Sequence, residues 1–161
     1  MNNTSAITPA ESVSVQSDDF DVGAEITALR LHQPAVGAIA SFVGTVRDIN
    51  EGQGVRTLTL EHYPAMTQRS LERIVQEARQ RFDLIRIRVI HRFGTLHPTD
   101  QIVFVGVSSA HRGEAFAACE FIMDYLKTRA PFWKKEVTSD GDRWVEARHS
   151  DDAAADRWKA E

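Results

Sequence analysis

Residues 101–108, QIVFVGVS, form an almost unbroken apolar run rich in β-branched side chains. A half-solvated strand would alternate apolar with polar residues, so this run reads as a strand buried on both faces. Such a strand needs sheet neighbours on its edges and further layers above and below it. The chain offers two helices for that purpose. Leu71, Ile74, Val75, Ala78 and Phe82 recur at helical spacing and predict a helix over 67–82 capped by Thr67, with Arg69, Glu72, Arg73, Glu77 and Arg81 on the wet face. A second helix starts at Ser109 or His111 and is expected to bury Phe116, Cys119, Ile122, Met123 and Leu126. It ends near Arg129, because Pro131 cannot continue a helix interior.

The remaining segments alternate in the manner of strands: 12–16, 36–46, 55–63, 85–90, 133–138 and 143–147. Gly37 and Gly44 inside the second of these suggest a bulge or a close backbone approach. Strands 36–46 and 55–63 are expected to form a hairpin across the polar loop 47–54, and Ser139–Asp142 to turn a second one. A short helix over 21–31, with Ile26, Leu29 and Leu31 partly buried, stops before Pro34, and 151–159 is weakly helical. The order β-α-β-β-α-β-β-α-β-β is that of an α+β protein. The 161 residues suffice for one core, giving a flexible N-terminus 1–11, a single domain 12–148 and a tail 149–161.

Composition narrows the function. The formal net charge of −4 argues against a general nucleic-acid binder. The single cysteine, Cys119, cannot form an internal disulfide and suits a reducing cytoplasm. No zinc-type Cys/His cluster, GxGxxG, P-loop or HExxH occurs, so neither metal nor cofactor is expected. No apolar run is long enough for a bilayer, and the first residues lack a secretion-signal pattern, so the expected location is cytoplasmic.

Three places carry candidate chemistry. In Lys127-Thr128-Arg129-Ala130-Pro131-Phe132-Trp133-Lys134-Lys135, cations converge where a helix stops and a strand begins. Neighbouring like charges depress a lysine's pKa and fit it for proton transfer or nucleophilic work. The alternative is a solvated helix end whose cations complement the macrodipole. The aromatic pair Phe132-Trp133 favours a site for a flat anionic ligand. At Ser108-Ser109-Ala110-His111-Arg112-Gly113, a helix N-terminus offers free N–H groups and Arg112 a bidentate fork for phosphate. A capping box of His111 with Glu114 is compatible with that. In Gly44-Thr45-Val46-Arg47-Asp48, an arginine at a strand end can be aimed into a cleft or can rest in water. Cys119 reads as core, and His62 and His91 as structural hydrogen-bonding residues.

The segments FVGTVRD, LTLEHYPAMT, VIHRFGTLHPTDQIVFVGVSSAHR, FIMDYLKTRAPFWKKE and GDRWVEAR resemble the large, catalytic subunit of molybdopterin synthase, in order and spacing, over about residues 36–148. That resemblance implies an α/β-hammerhead type of fold with mixed and antiparallel sheets and two main helices. It implies sulfur transfer from the C-terminal Gly-Gly thiocarboxylate of a small ubiquitin-like subunit to cyclic pyranopterin monophosphate, making the dithiolene of molybdopterin. It further implies a heterotetramer around a homodimer of large subunits. By the same resemblance Lys127 and Lys134 are the catalytic pair. Arg47, His111 and Arg112 then bind phosphate and pterin, Thr45, Val46, Lys135 and Glu136 line the pocket, and Arg148 arrives across the dimer interface. The sulfur is delivered by the partner, so no nucleophilic cysteine is needed. The other readings are a phosphodiesterase or phosphotransferase using His111 and the lysines, and a non-catalytic cleft for an acidic tail or single-stranded RNA.

Overall fold

The computed structural model describes residues 12–50, 53–145 and 149–160. The expectations for residues 1–11, the end of the 143–147 strand and Arg148 lie outside these residues. The elements are β1 (Val13–Gln16), α1 (Val22–Ala28), β2 (Ala38–Thr45), β3 (Ile49–Asn50), β4 (Gln53–His62), α2 (Pro64–Arg81), β5 (Arg86–Arg92), β6 (Gly94–Leu96), β7 (Gln101–Ser109), α3 (Arg112–Arg129), β8 (Phe132–Thr138), β9 (Gly141–Val145), α4 (His149–Asp156) and a 3-10 turn (Arg157–Ala160).

β7 holds the centre of the first sheet, ordered β1-β5-β7-β2, in which only the β1–β5 pair is parallel. Its residues Val103 to Ser109 are all buried. Val103, Val105 and Val107 join the main core beneath Leu71, Ile74, Val75 and Ala78 of α2 and Ala118, Ile122 and Leu126 of α3. Phe104 points the other way, to Leu29 and Ile90, with Ile26 of α1 packed against them. The double burial expected of 101–108 thus comes from helices on both faces. The second sheet is antiparallel, ordered β3-β4-β8-β9 with β6 also on β4. Val46, Leu58, Leu60 and Leu96 form a smaller core there, packed by Phe93 and Ile102. The fold is α+β with one mixed and one antiparallel sheet and two long helices.

Several local expectations change. β2 and β4 do not form a hairpin, because β2 spends its hydrogen bonds on β7 while β4 pairs with β8 in the other sheet. The loop forms its own small ribbon, β3 with the start of β4. Helix α2 begins at Pro64 with Tyr63 as N-cap, and Thr67 lies a turn inside, fully buried. Helix α1 ends at Ala28, so Leu31 falls outside it and is exposed, whereas Leu29 is buried. Phe116 is in phase with the buried face of α3 yet stands 68% exposed. The strand β6 has no counterpart in the sequence reading. Both glycine expectations hold. The β2 register shifts between Gly44 and Thr45, and a Cβ on Gly37 would collide with the carbonyl of Ala110. The C-terminal 3-10 turn is docked: Trp158 stands edge-on to Phe121 at 5.4 Å and its Nε1–H donates to Asp124 at 2.7 Å.

Candidate active site

Four chain segments end or begin at the same edge of the first sheet. The registers Thr45↔Gln101 and His91↔Val103 place the ends of β2 and β5 beside the start of β7. Helix α3 runs back across β7, with Cys119 Sγ 3.9 Å from the Val105 carbonyl, so its C-terminal turn and Lys127 reach that edge too. The Ala130 N–H closes the helix on Leu126, and the Phe132 N–H donates to the Ala130 carbonyl at 2.9 Å. This tight turn around Pro131 starts β8, and alternation puts Phe132, Lys134 and Glu136 on one face of it. Lys127 is exposed and Lys134 half-buried.

His91 lies within electrostatic reach of both lysines. It is 4% exposed, its ring is stacked on Phe132 at 3.8 Å and 18°, and Nδ1–H donates to the Arg92 carbonyl at 2.8 Å. Burial pushes its pKa down to about 3; the Arg92 carbonyl opposes this, and the charges of Lys134, Lys127 and His62 add to it. The charges of both lysines therefore bear on one uncharged imidazole. His62 also has a pKa lowered by burial, and its ring lies 4.5 Å from Phe93 and 5.8 Å from Phe132. Its buried Nδ1 has no hydrogen-bond partner among the described residues, against the structural role expected of it.

Val46 is pinned at the strand end, its N–H donating to the Asp100 carbonyl at 2.9 Å and its carbonyl accepting from Thr99 at 2.8 Å. Its side chain is buried in the smaller core, while Thr45 and Arg47 are exposed on either side. Lys135 faces away from Lys134 and pairs with Asp142 at 3.2 Å. Trp133 shares the Lys135 face and packs edge-on against Tyr63 at 4.4 Å, so the aromatic beside the lysines is Phe132 alone. Glu136 is buried and takes both Nε and Nη2 of Arg143, at 3.1 and 2.9 Å.

His111 and Arg112 lie elsewhere. They are exposed at the start of α3, whose rise of about 1.5 Å per residue sets Arg112 roughly 22 Å from Lys127 in the same chain. His111 is the N-cap without a side-chain cap bond, and Glu114 accepts from the Asp83 N–H at 3.4 Å, so the capping box does not form. Between the two ends of α3, a groove of about 410 Å³ opens between Ala40, Ser41 and Phe42 of β2 and Phe116, Cys119, Glu120 and Met123. Burial pushes the Cys119 thiol up to about 11, as befits a core cysteine. Sequence reasoning missed His91 as a site neighbour. The signal was its phase: Ile87, Val89 and His91 share one face of β5, and the first two are core.

The MoaE protein family model matches residues 15–129. The molybdopterin synthase catalytic subunit of Ralstonia nicotianae is 63% identical over 147 residues, spanning 91% of this chain and 84% of that one. The chain belongs to the family of molybdopterin synthase catalytic subunits. The Escherichia coli catalytic subunit is 58% identical over 146 residues, 91% of this chain and 97% of its own. A solved MoaE protein from Burkholderia ambifaria superposes with a TM-score of 0.79 at 55% identity, covering 93% of this chain and 99% of that one. No described helix is long and apolar enough to cross a membrane.

Proposed function

We propose that this chain is the cytoplasmic catalytic subunit of molybdopterin synthase and performs its sulfur transfer at Lys127 and Lys134. The observation that carries the reading is the tight Pro131 turn, which joins the end of α3 bearing Lys127 to the strand bearing Lys134, beside a buried His91 that stacks on Phe132 and feels both lysine charges. The substrate is a cyclic phosphate and the donor a terminal thiocarboxylate, so the site must hold two anions close together. Two lysines and the nearby Arg47 supply the positive field for that. A carrier that gives up its sulfur ends as a carboxylate, so one water oxygen replaces each sulfur delivered. Two carriers are consumed per dithiolene. In this scheme Lys127 moves the protons of sulfur transfer at the thiocarboxylate carbon, and Lys134 stabilises the anionic intermediate or the opening phosphate. Glu136 and Val46 serve as wall and support rather than as ligands, given their burial.

His111 and Arg112 fit the reading through a second copy of the chain. Two α3 helices packed antiparallel about a two-fold axis would bring Arg112 of one copy to Lys127 of the other. The midpoint of that pairing is the groove flanked by the exposed Phe42 and Phe116. Arg148 is assigned the same cross-dimer role.

The test uses the thiocarboxylated carrier and cyclic pyranopterin monophosphate. Lys127→Ala and Lys134→Ala are expected to slow dithiolene formation by about 10²-fold or more while carrier binding, read by calorimetry, persists. Near wild-type rates would refute the lysine assignment. Arg112→Glu should weaken precursor binding, and unchanged binding would remove its phosphate role. A phosphodiesterase would open the cyclic phosphate without any carrier, which the same assay reads directly.

A further inference from the structure

The two lysines leave a buried group of the site without a task. His91 sits in an interior strand, flanked in register by Val15 on β1 and Val103 on β7, so its backbone is fixed from both sides. Its Nδ1–H is committed to the Arg92 carbonyl at 2.8 Å, which sets the plane of the ring. That plane lies almost parallel to Phe132, at 18° and 3.8 Å. Phe132 is the first residue after the Pro131 turn and lies two residues before Lys134 on the same face of β8. The same turn follows Lys127 by only the last residues of α3. Whatever fixes Phe132 therefore fixes the link between the two lysines.

We propose that His91 is a positioning residue for sulfur transfer: its ring, bonded to Arg92 and stacked flat on Phe132, holds the turn that sets Lys127 and Lys134 over the reacting carbon. The inference rests on the lysine reading above. A flat ring is the part that matters for position. The imidazole adds the bond that orients it, and being uncharged at neutral pH it places no third cation beside Lys127 and Lys134. Chemistry at the thiocarboxylate carbon depends steeply on geometry, since a displacement of about 1 Å can cost on the order of 10²-fold in rate.

The experiment compares His91→Ala, His91→Phe, Phe132→Leu and Lys127→Ala in the complete synthase with thiocarboxylated carrier. Circular dichroism and thermal melting establish that each is folded. His91→Ala is expected to lower kcat by roughly 10- to 100-fold with an unchanged KM for carrier. His91→Phe, which keeps the stacked ring, is expected to recover most of that loss. Phe132→Leu removes the stack from the other side and should reproduce the His91→Ala loss; it decides the matter if His91→Ala does not fold. Wild-type kcat in a folded His91→Ala or in Phe132→Leu overturns the proposal. So does a His91→Phe as slow as His91→Ala, because the ring nitrogen rather than the stack would then be at work. If Lys127→Ala is fully active, the lysine reading has failed. If Lys127→Ala is dead and His91→Ala is normal, only the role of His91 has failed.

Discussion

Replacing Arg143 with methionine keeps most of an apolar stem and removes the guanidinium from the Glu136 carboxylate. Glu136 is 5% exposed, and Arg143 reaches it from the directly opposed position on β9. Losing one partner of a buried ion pair costs about 3–5 kcal/mol, because a buried charge loses its compensation. The Arg143 side chain is 27% exposed, so water can take up part of the vacated space, and the expected cost drops to about 2–3 kcal/mol. For a domain of this length each kcal/mol shifts Tm by about 2–4 °C, which predicts a fall of roughly 5–10 °C. Differential scanning calorimetry measures it. Adding Glu136→Gln to Arg143→Met should restore part of the loss, giving a coupling energy of about 1 kcal/mol or more in a double-mutant cycle. Below the melting transition, turnover of Arg143→Met should stay close to wild type if, as proposed above, the pair serves as a support for β8 rather than as a substrate ligand. A Tm unchanged within about 1 °C, together with a raised KM for the pterin, would refute this reasoning and return Glu136 to the substrate pocket.

Other predictions follow from the buried groups and the groove. The His91 pKa falls on folding from 6.5 to about 3, so between those values the unfolded chain binds a proton that the folded one refuses. Stability is therefore complete above pH 6.5 and declines as pH falls, by up to about 1.4 kcal/mol per pH unit from this group. Urea titrations of His91→Phe should show a flatter decline across that window; an identical decline would contradict the burial of an uncharged His91. Cys119, with its thiol pushed up to about 11, should resist iodoacetamide at pH 8 in the native protein and react after denaturation. Phe116→Asp should convert a sedimenting dimer to monomer and lower activity per chain; an active dimer would exclude the groove beside α3 as the interface between copies.

The parts of the fold that could be read from sequence are those set by local periodicity. The 101–108 run lost its alternation because helices cover both of its faces, and the 3.6-residue pattern of α2 follows directly from its one buried stripe. Pairing between distant strands leaves no such trace. β2 and β4 are close in sequence, but the best partner for the apolar β2 is β7, more than fifty residues on. Phe116 obeys the helical phase and is still exposed, because α3 there lies beside the groove where no further layer of the described residues covers it. The site divides similarly. The Pro131 turn that ends α3 and starts β8 is local and was legible. Strand alternation turns Lys135 and Trp133 away from that pair, and the length of α3 carries Arg112 far from it. Neither follows from motif order alone. His91 was visible only as a polar residue in phase with Ile87 and Val89.

The most direct test of the account is a structure of this chain with its thiocarboxylate-ended partner bound. The account predicts the terminal glycine carbonyl carbon within about 4 Å of Lys127 Nζ, at the sheet edge formed by Lys134, Arg47 and Phe132. A terminus seated elsewhere, with Lys127 and Lys134 in open solvent, would contradict it.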